Sequence, residues 1–492
     1  MRFLDSEQRE QVGFSFLMDE LYTITFYGKE EKRKIKPFKK NEKNLLVREL
    51  DNLENVIELM KEHKDSFSNI ERLLRKVKDI RNSVKRAMDG ETLDEVELYE
   101  IKYFSMIIEE LKEVVDELNL SIEGIEFEYL TDVLNILDPE KKRISTFYVY
   151  DNYSEKLKEI RIKKGEIEKR ICCSNDEDEI EKLKAQRLEF VIQEEEEELR
   201  IRKELTAKIV KYGEKILNDI SCIGKLDFII AKAKLSTRYG AIRPTIVEDM
   251  EIELKEAFNP QIKDILLSKG KIFTNQSIEI KGGTTVITGA NMGGKSVTLK
   301  TIVLNILLGQ MGFFVFAESA KFPILDFIYF ISDDMQSVSK GLSTFGAEII
   351  KLKEVVESVK RGNGFVALDE FARGTNPKEG FYLVKSLAVY LNKFETMSII
   401  STHYDGVVCD DMDYYQVIGL KNMDFEKLKY KIDLNKTHSV EIIQEHMEYK
   451  LERVSKENKV PKDALNISML LGLEKEIIDI AKTYYKEEDS NE

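Results

Sequence analysis

The sequence predicts a mixed fold, a long helical part followed by an α/β domain with a mainly parallel sheet. Three observations carry this reading. Apolar residues recur at intervals of three and four in the first third, as in Leu46, Leu50, Leu53, Val56 and Ile57, and again in Ile70, Leu73, Leu74, Val77 and Ile80. Between Ser154 and Tyr212 there is no proline and one glycine, Gly165, and charged residues dominate. Such a segment buries little and predicts an antiparallel helical arm of coiled-coil type. After Pro244 short β-rich runs alternate with helical stretches: TTVITG, FFVFA, FIYFIS, GFVALDE and MSIISTH.

The elements follow in order. Residues 1–43 form an N-terminal segment ending in KEEKRKIKPFKKNEK, whose eight basic and three acidic residues make a basic strap. Residues 44–153 are the first part of the helical region, closed by Pro139 and the aromatic FYVYDNY at 147–153. The arm takes 154–212, with SNDEDE at 174–179 as its tip turn, and a returning helix takes 213–250. The α/β domain takes 251–492.

Composition limits the function. The 492 residues carry a net charge of −15, which argues against a surface devoted to nucleic acid but leaves room for a local basic patch. No apolar run approaches the ~20 residues of a membrane span, and the start has no basic-then-apolar signal, so the expected compartment is the cytoplasm, with no membrane partner. Cys172, Cys173, Cys222 and Cys409 are too few and too unevenly spaced for a disulfide framework or a zinc site.

GANMGGKS, residues 289–296, has the spacing G-x-x-x-x-G-K-[ST] between a β-branched strand and a helix. Glycines there let backbone N–H groups and the helix N-terminus close around phosphates. The expected cradle is Gly289, Asn291, Gly293, Gly294, Lys295, Ser296 and Val297. In it Lys295 reaches the β- and γ-phosphates and the Ser296 hydroxyl ligates Mg²⁺. GFVALDE then ends an apolar strand in Asp369, a second Mg²⁺ ligand, and Glu370, which orients the attacking water. MSIISTHYD ends another strand at His403, placed to sense the γ-phosphate. These residues predict a Mg·ATP-hydrolysing domain with Lys295, Asp369, Glu370 and His403 as its catalytic set.

TGANMGGKS, SDDMQSVSKGLSTFGAE, LDEFARGTNPKEG and STHYD, taken in this order, resemble the ATPase motifs of the MutS family. GKLDFIIAKAKLSTRYGAIRP (224–244) resembles the family's segment leading into that domain, and ALNISMLLGLEKEIIDIAK (464–482) its closing helix-turn-helix, a dimerisation element over 464–486. The earlier helices and arm are similar to the family's lever and clamp. The resemblance implies a dimer, homo- or heteromeric with a MutS-like paralogue, with ATP held between subunits and Ser343, Thr344 and Glu348 acting in trans. It also implies that Asp333 and Asp334 lie in the loop linking nucleotide state to the arms, and that Phe273 packs on adenine. Where the family often adds a histidine against the base, this sequence offers Tyr449. The helical region begins within roughly the first 50 residues, so the expectation is a short MutS-like chain without the mismatch-reading and connector domains.

Two targets follow from the resemblance. One is DNA of branched or recombining form, in mismatch-repair-like work. The other is a protein client, as in reactivation of an adenosylcobalamin-dependent aminomutase. The arm weighs toward the second: Asp176 to Glu198 holds eleven acidic residues against Lys182, Lys184 and Arg187, a charge that opposes a phosphate backbone. An ATPase of the long coiled-coil chromosome-maintenance kind is disfavoured, since every nucleotide motif here follows the arm.

Overall fold

Runs rich in Val, Ile and Thr pack well on a pleated surface, and where both faces are covered they need not alternate with polar residues. The central strands of the second half follow this rule in the structure, a computed structural model that describes residues 3–143, 148–289, 293–332, 344–420, 446–455 and 463–489. Among the described residues the strands are β1 (Thr245–Val247), β2 (Glu251–Ala257), β3 (Gln276–Lys281), β4 (Gly283–Thr288) and β5 (Ser319–Pro323). They continue with β6 (Ile328–Ser332), β7 (Phe365–Asp369), β8 (Met397–Thr402), β9 (Asp413–Gly419) and β10 (Glu448–Arg453).

Six of them form one sheet in the order β10-β9-β4-β8-β7-β6. Its pairings are parallel except that β10 runs antiparallel to β9. Every residue of β4, β6, β7 and β8 is buried. On one face Val286, Tyr329, Ile331, Val366, Leu368 and Ile400 join Val355 and Val359 of helix Thr344–Val359 and Val384, Leu387 and Leu391 of helix Pro377–Leu391 in one core. Helix Lys295–Gln310 follows β4 and is buried almost throughout, so it shows no polar face. The other four strands form a mixed sheet in the order β1-β5-β2-β3.

FFVFA does not become a strand. Val315 exchanges backbone hydrogen bonds with Ile242 in an isolated bridge, and the Phe316 N–H donates to the Asn305 side chain at 2.7 Å. With these groups satisfied locally, the strand forms later, at β5, from a less apolar run.

The chain divides into two compact units. One gathers residues 1–21, 36–51 and 234–492. The N-terminal pieces join the sheet by specific bonds: Phe3 bridges Ile328, the Gln8 side chain donates to the Phe330 carbonyl, and the Phe38 N–H donates to the Gln310 carbonyl at 2.8 Å. Lys40 and Lys43 of the strap pair with Asp326 and Glu248.

The other unit holds residues 22–35 and 52–233 and is helical. Its arm is the helix pair Glu155–Cys173 and Glu177–Ile209, capped by Ser154 and Asp176 side chains that accept backbone N–H groups. Leu157, Ile160, Ile167, Leu183, Ile201 and Leu205 are buried along it. Charges run beside this seam. Arg161 donates to Glu194 at 2.9 Å and Glu198 at 2.7 Å, and also meets Asp151. Lys164 pairs with Glu194, and Arg187 with Glu168. Glu197 accepts from Arg200, Ser154 and Lys156, and these, Arg200 first, hold its carboxyl down to about 2. Three glutamates of the QEEEEE run are therefore neutralised within the arm, while Glu195 and Glu196 stay exposed. No helix among the described residues is long and apolar enough to cross a membrane.

Candidate functional site

A parallel sheet brings the C-terminal ends of adjacent strands to one edge, where open α/β folds bind ligands. Here β4, β8 and β7 lie side by side, with Thr288 opposite Thr402 and Asp369 opposite Ser401. The residues that follow, Gly289, His403 and Glu370, consequently share that edge.

The turn after β4 needs its glycines. Gly289 has φ +148°, and a Cβ there would stand 2.9 Å from the Val417 side chain. Gly294, at φ +87°, caps the helix that starts at Lys295. A Cβ on it would meet the Tyr449 ring at 3.1 Å. The Tyr449 ring therefore packs against Gly294. Its carbonyl accepts from the Gln276 side chain at 3.0 Å.

Lys295 is 3% exposed, donates to the Gly289 carbonyl at 2.8 Å and lies 3.3 Å from the Glu370 carboxylate. The other Glu370 oxygen accepts from Arg373 at 2.8 Å. Burial pushes the Lys295 ammonium below its ordinary pKa, against the pull of Glu370. Asp369 accepts from the Ser401 hydroxyl at 2.6 Å. Burial raises its carboxyl, with hydrogen bonds from Ser401 and Ser296 opposing. His403 stands at the end of β8, and desolvation lowers its pKa although Glu370 favours the charged ring. Ser296 and Asp369 thus offer two hard oxygen donors side by side, a set that suits Mg²⁺ completed by water and phosphate oxygens.

Lys295, Ser296, Asp369, Glu370 and His403 come together. Gly293 lies in the turn and Val297 in the first turn of the helix. Phe273 is buried just ahead of β3. Glu348 is 3% exposed, and its carboxylate accepts the Ala372 N–H of its own chain at 3.1 Å. Asn291, Asp333, Asp334 and Ser343 lie outside the described residues, and of Thr344 only the backbone is described, opening its helix.

Sequence reasoning missed Ser401 and Arg373. Ser401 lies two residues before His403 in a strand, and its pairing with Asp369 depends on which strands are neighbours. Arg373 had a local signal, three residues after Glu370 within LDEFARGT.

Residues 285–479 match the family MutS domain V. Endonuclease MutS2 of Caldanaerobacter subterraneus subsp. tengcongensis is 31% identical over 302 residues, 60% of this chain and 35% of that protein. Endonuclease MutS2 of Shouchella clausii is 33% identical over 224 residues, 45% of this chain and 28% of its own. The DNA mismatch repair protein MutS of Thermodesulfovibrio yellowstonii is 33% identical over 230 residues, 44% and 27% of the two chains. The matched stretch thus spans about a third or less of the length of these relatives.

Proposed function

We propose that this chain, whose C-terminal part belongs to the MutS family, is a Mg·ATP-hydrolysing dimeric switch that couples ATP binding and hydrolysis to movement of its helical arm and acts on DNA structures. The observation that carries the reading is the buried Lys295–Glu370 pair beside Ser296 and Asp369 at the ends of three neighbouring strands. Lys295 is a desolvated cation whose present partner, Glu370, is also the residue suited to orient water. Triphosphate oxygens replacing Glu370 at Lys295 would both seat the nucleotide and release the carboxylate for its role. The backbone of Gly289, Asn291, Gly293, Gly294 and Val297 would cradle the phosphates, with Phe273 and Tyr449 toward the base. Mg²⁺ on Ser296 and Asp369 would neutralise charge building on the phosphate oxygens. His403 would sense the terminal phosphate.

Exposed Leu471, Leu473, Ile477, Ile480 and Tyr484 around helices Asp463–Leu470 and Lys475–Asp489 support a second copy or a paralogue as the covering surface. Ser343 and Thr344 would then complete the site across the subunit boundary. The names of the matched relatives favour DNA as the target. The charge argument for a protein client weakens, because Glu194, Glu197 and Glu198 are spent on the arm's own cations. In the strap, exposed Lys29, Arg33, Lys36 and Lys39 are the phosphate contacts to test first.

ATP binding and turnover decide the core of the proposal. Lys295→Ala is expected to lose ATP binding, while Glu370→Gln binds ATP and hydrolyses it about 10²- to 10⁴-fold more slowly. Equal turnover in Glu370→Gln and the unaltered protein would remove Glu370 from its role. Binding of four-way-junction DNA, with and without a non-hydrolysable ATP analogue, tests the target.

A further inference from the structure

We infer that Glu348 is a positioning residue acting within its own chain, holding the turn that carries Glu370 so that this carboxylate is correctly aimed. The inference rests on the ATP-hydrolysing reading above. It differs from the trans role that the family resemblance implies for this residue.

The turn after β7 is strained. Glu370 has φ +48° and Ala372 φ +63°, two side-chain-bearing residues in the left-handed region within three positions. Such conformations persist where the surroundings over-determine them. Three N–H groups of the turn, those of Glu370, Ala372 and Arg373, have identifiable acceptors. The Glu370 N–H meets the Ser401 carbonyl and hydroxyl, both at 3.1 Å. The Arg373 N–H donates to the Glu370 carbonyl at 3.3 Å. The Ala372 N–H, on a fully buried residue, donates to the Glu348 carboxylate at 3.1 Å. On its other side the Ala372 carbonyl packs against Gly380, where a Cβ would stand 2.9 Å away.

Ser401 anchors the start of the turn to the sheet, and Glu348 anchors its middle to a helix. That helix, Thr344–Val359, is fixed in the core by Val355 and Val359. A buried N–H has no water to turn to, so losing its acceptor frees the strained segment to relax. Glu370 and Arg373 flank Ala372, and the contacts of Glu370 with Lys295 and Arg373 depend on where this turn points. The bond that carries the inference runs from the Ala372 backbone N–H to the Glu348 carboxylate. Glu348 acts through the backbone.

The test uses the full chain with Glu348→Leu, Glu348→Asp and Glu348→Gln, reading ATP affinity and single-turnover hydrolysis separately. Leu cannot accept the Ala372 N–H and Asp is one methylene too short, whereas the Gln side-chain oxygen still reaches it. Leu and Asp should keep ATP affinity within about threefold and slow hydrolysis by about 10²-fold, with Gln recovering most of the rate. If Leu does not fold, Asp against Gln carries the comparison. Wild-type hydrolysis in Asp or folded Leu would overturn the inference, and so would a Gln variant as slow as Asp. Isolated heterodimers of Glu348→Asp with Lys295→Ala give a second arm. Action within the chain predicts no recovery there, since each site then lacks one residue, and recovered turnover would refute it. An unaltered protein that neither binds nor hydrolyses ATP would refute the reading beneath the inference instead.

Discussion

Lys295 and Arg161 both face glutamates, but their surroundings make opposite use of the charge. Arg161, on the arm, is 21% exposed and meets Asp151, Glu194 and Glu198. Burial lowers its pKa, but the three carboxylates more than restore it. Lys295 is 3% exposed and its pKa stays below the ordinary value despite Glu370. Along this seam of the arm charge is answered by charge: Arg161, Lys164 and Lys156 meet glutamates of the facing helix, and Arg187 meets Glu168. The strand-end site leaves a desolvated cation beside a raised carboxyl and a strained turn, an arrangement that would gain from the polyanion and metal of the proposed function. Charge number does not separate the two regions; compensation does.

The largest test comes from an exception in the helical unit. Asp219 is fully buried, accepts the Glu128 N–H at 3.0 Å, and has one carboxylate oxygen with no partner. Burial pushes its pKa up to about 7, against the hydrogen bond from the Glu128 N–H and the charges of Lys112 and Lys215. A folded-state pKa above the unfolded value means the native state holds the extra proton. Its contribution is therefore complete below about pH 4 and is lost as pH rises to about 7. Asp219→Asn should abolish this dependence and raise stability above pH 7 by up to about 4 kcal/mol. Denaturant melts of both proteins from pH 4 to 8 check it. Parallel pH profiles would show that the carboxyl is better compensated than its geometry indicates.

A smaller effect sharpens the other side. Gly289→Ala places a Cβ against Val417 at φ +148°, so stability should fall by about 1 to 3 kcal/mol, with ATP affinity lowered as well. Thermal melts with and without Mg·ATP measure both, and an unchanged melting point would mean the turn adapts. The smallest effect belongs to the arm. Arg187 and Glu168 are each nearly half exposed, and a double-mutant cycle to alanine should return a coupling of about 0.2 to 1 kcal/mol that fades with salt. A larger, salt-insensitive coupling would break the contrast between the regions.

Much of the framework around the strand-end site was legible in the sequence because its signals are local. The strand-turn-helix around GANMGGKS, the strand ending in Asp369 and the one ending in His403 each announce themselves within ten or so residues. The helical character of the arm was legible for the same reason, but of SNDEDE at 174–179 only the first three residues form the turn, Glu177 to Glu179 already lying in the second helix. FFVFA misled, because its apolar content matched a strand while Asn305 and Ile242 claimed its backbone groups. The four-stranded sheet was not legible since β2, β3 and β5 carry charged or mixed residues, β1 is only three residues long, and the strand order skips along the chain.

By itself the sequence determined the long helices, the central strands of the six-stranded sheet and the glycine turn after β4, since propensity, periodicity and glycine placement act over one or two turns of chain. Only the tertiary structure decided which of those segments meet. Sheet order set Ser401 against Asp369, packing of helix Thr344–Val359 brought Glu348 to the Ala372 N–H, and pairing of the arm helices turned an acidic run into one side of an ion-pair ladder. Burial, which shifts Lys295, Asp369 and Asp219 away from their ordinary pKa values, belongs to that second stage. It depends on what the rest of the chain lays over a residue, and no local pattern records that.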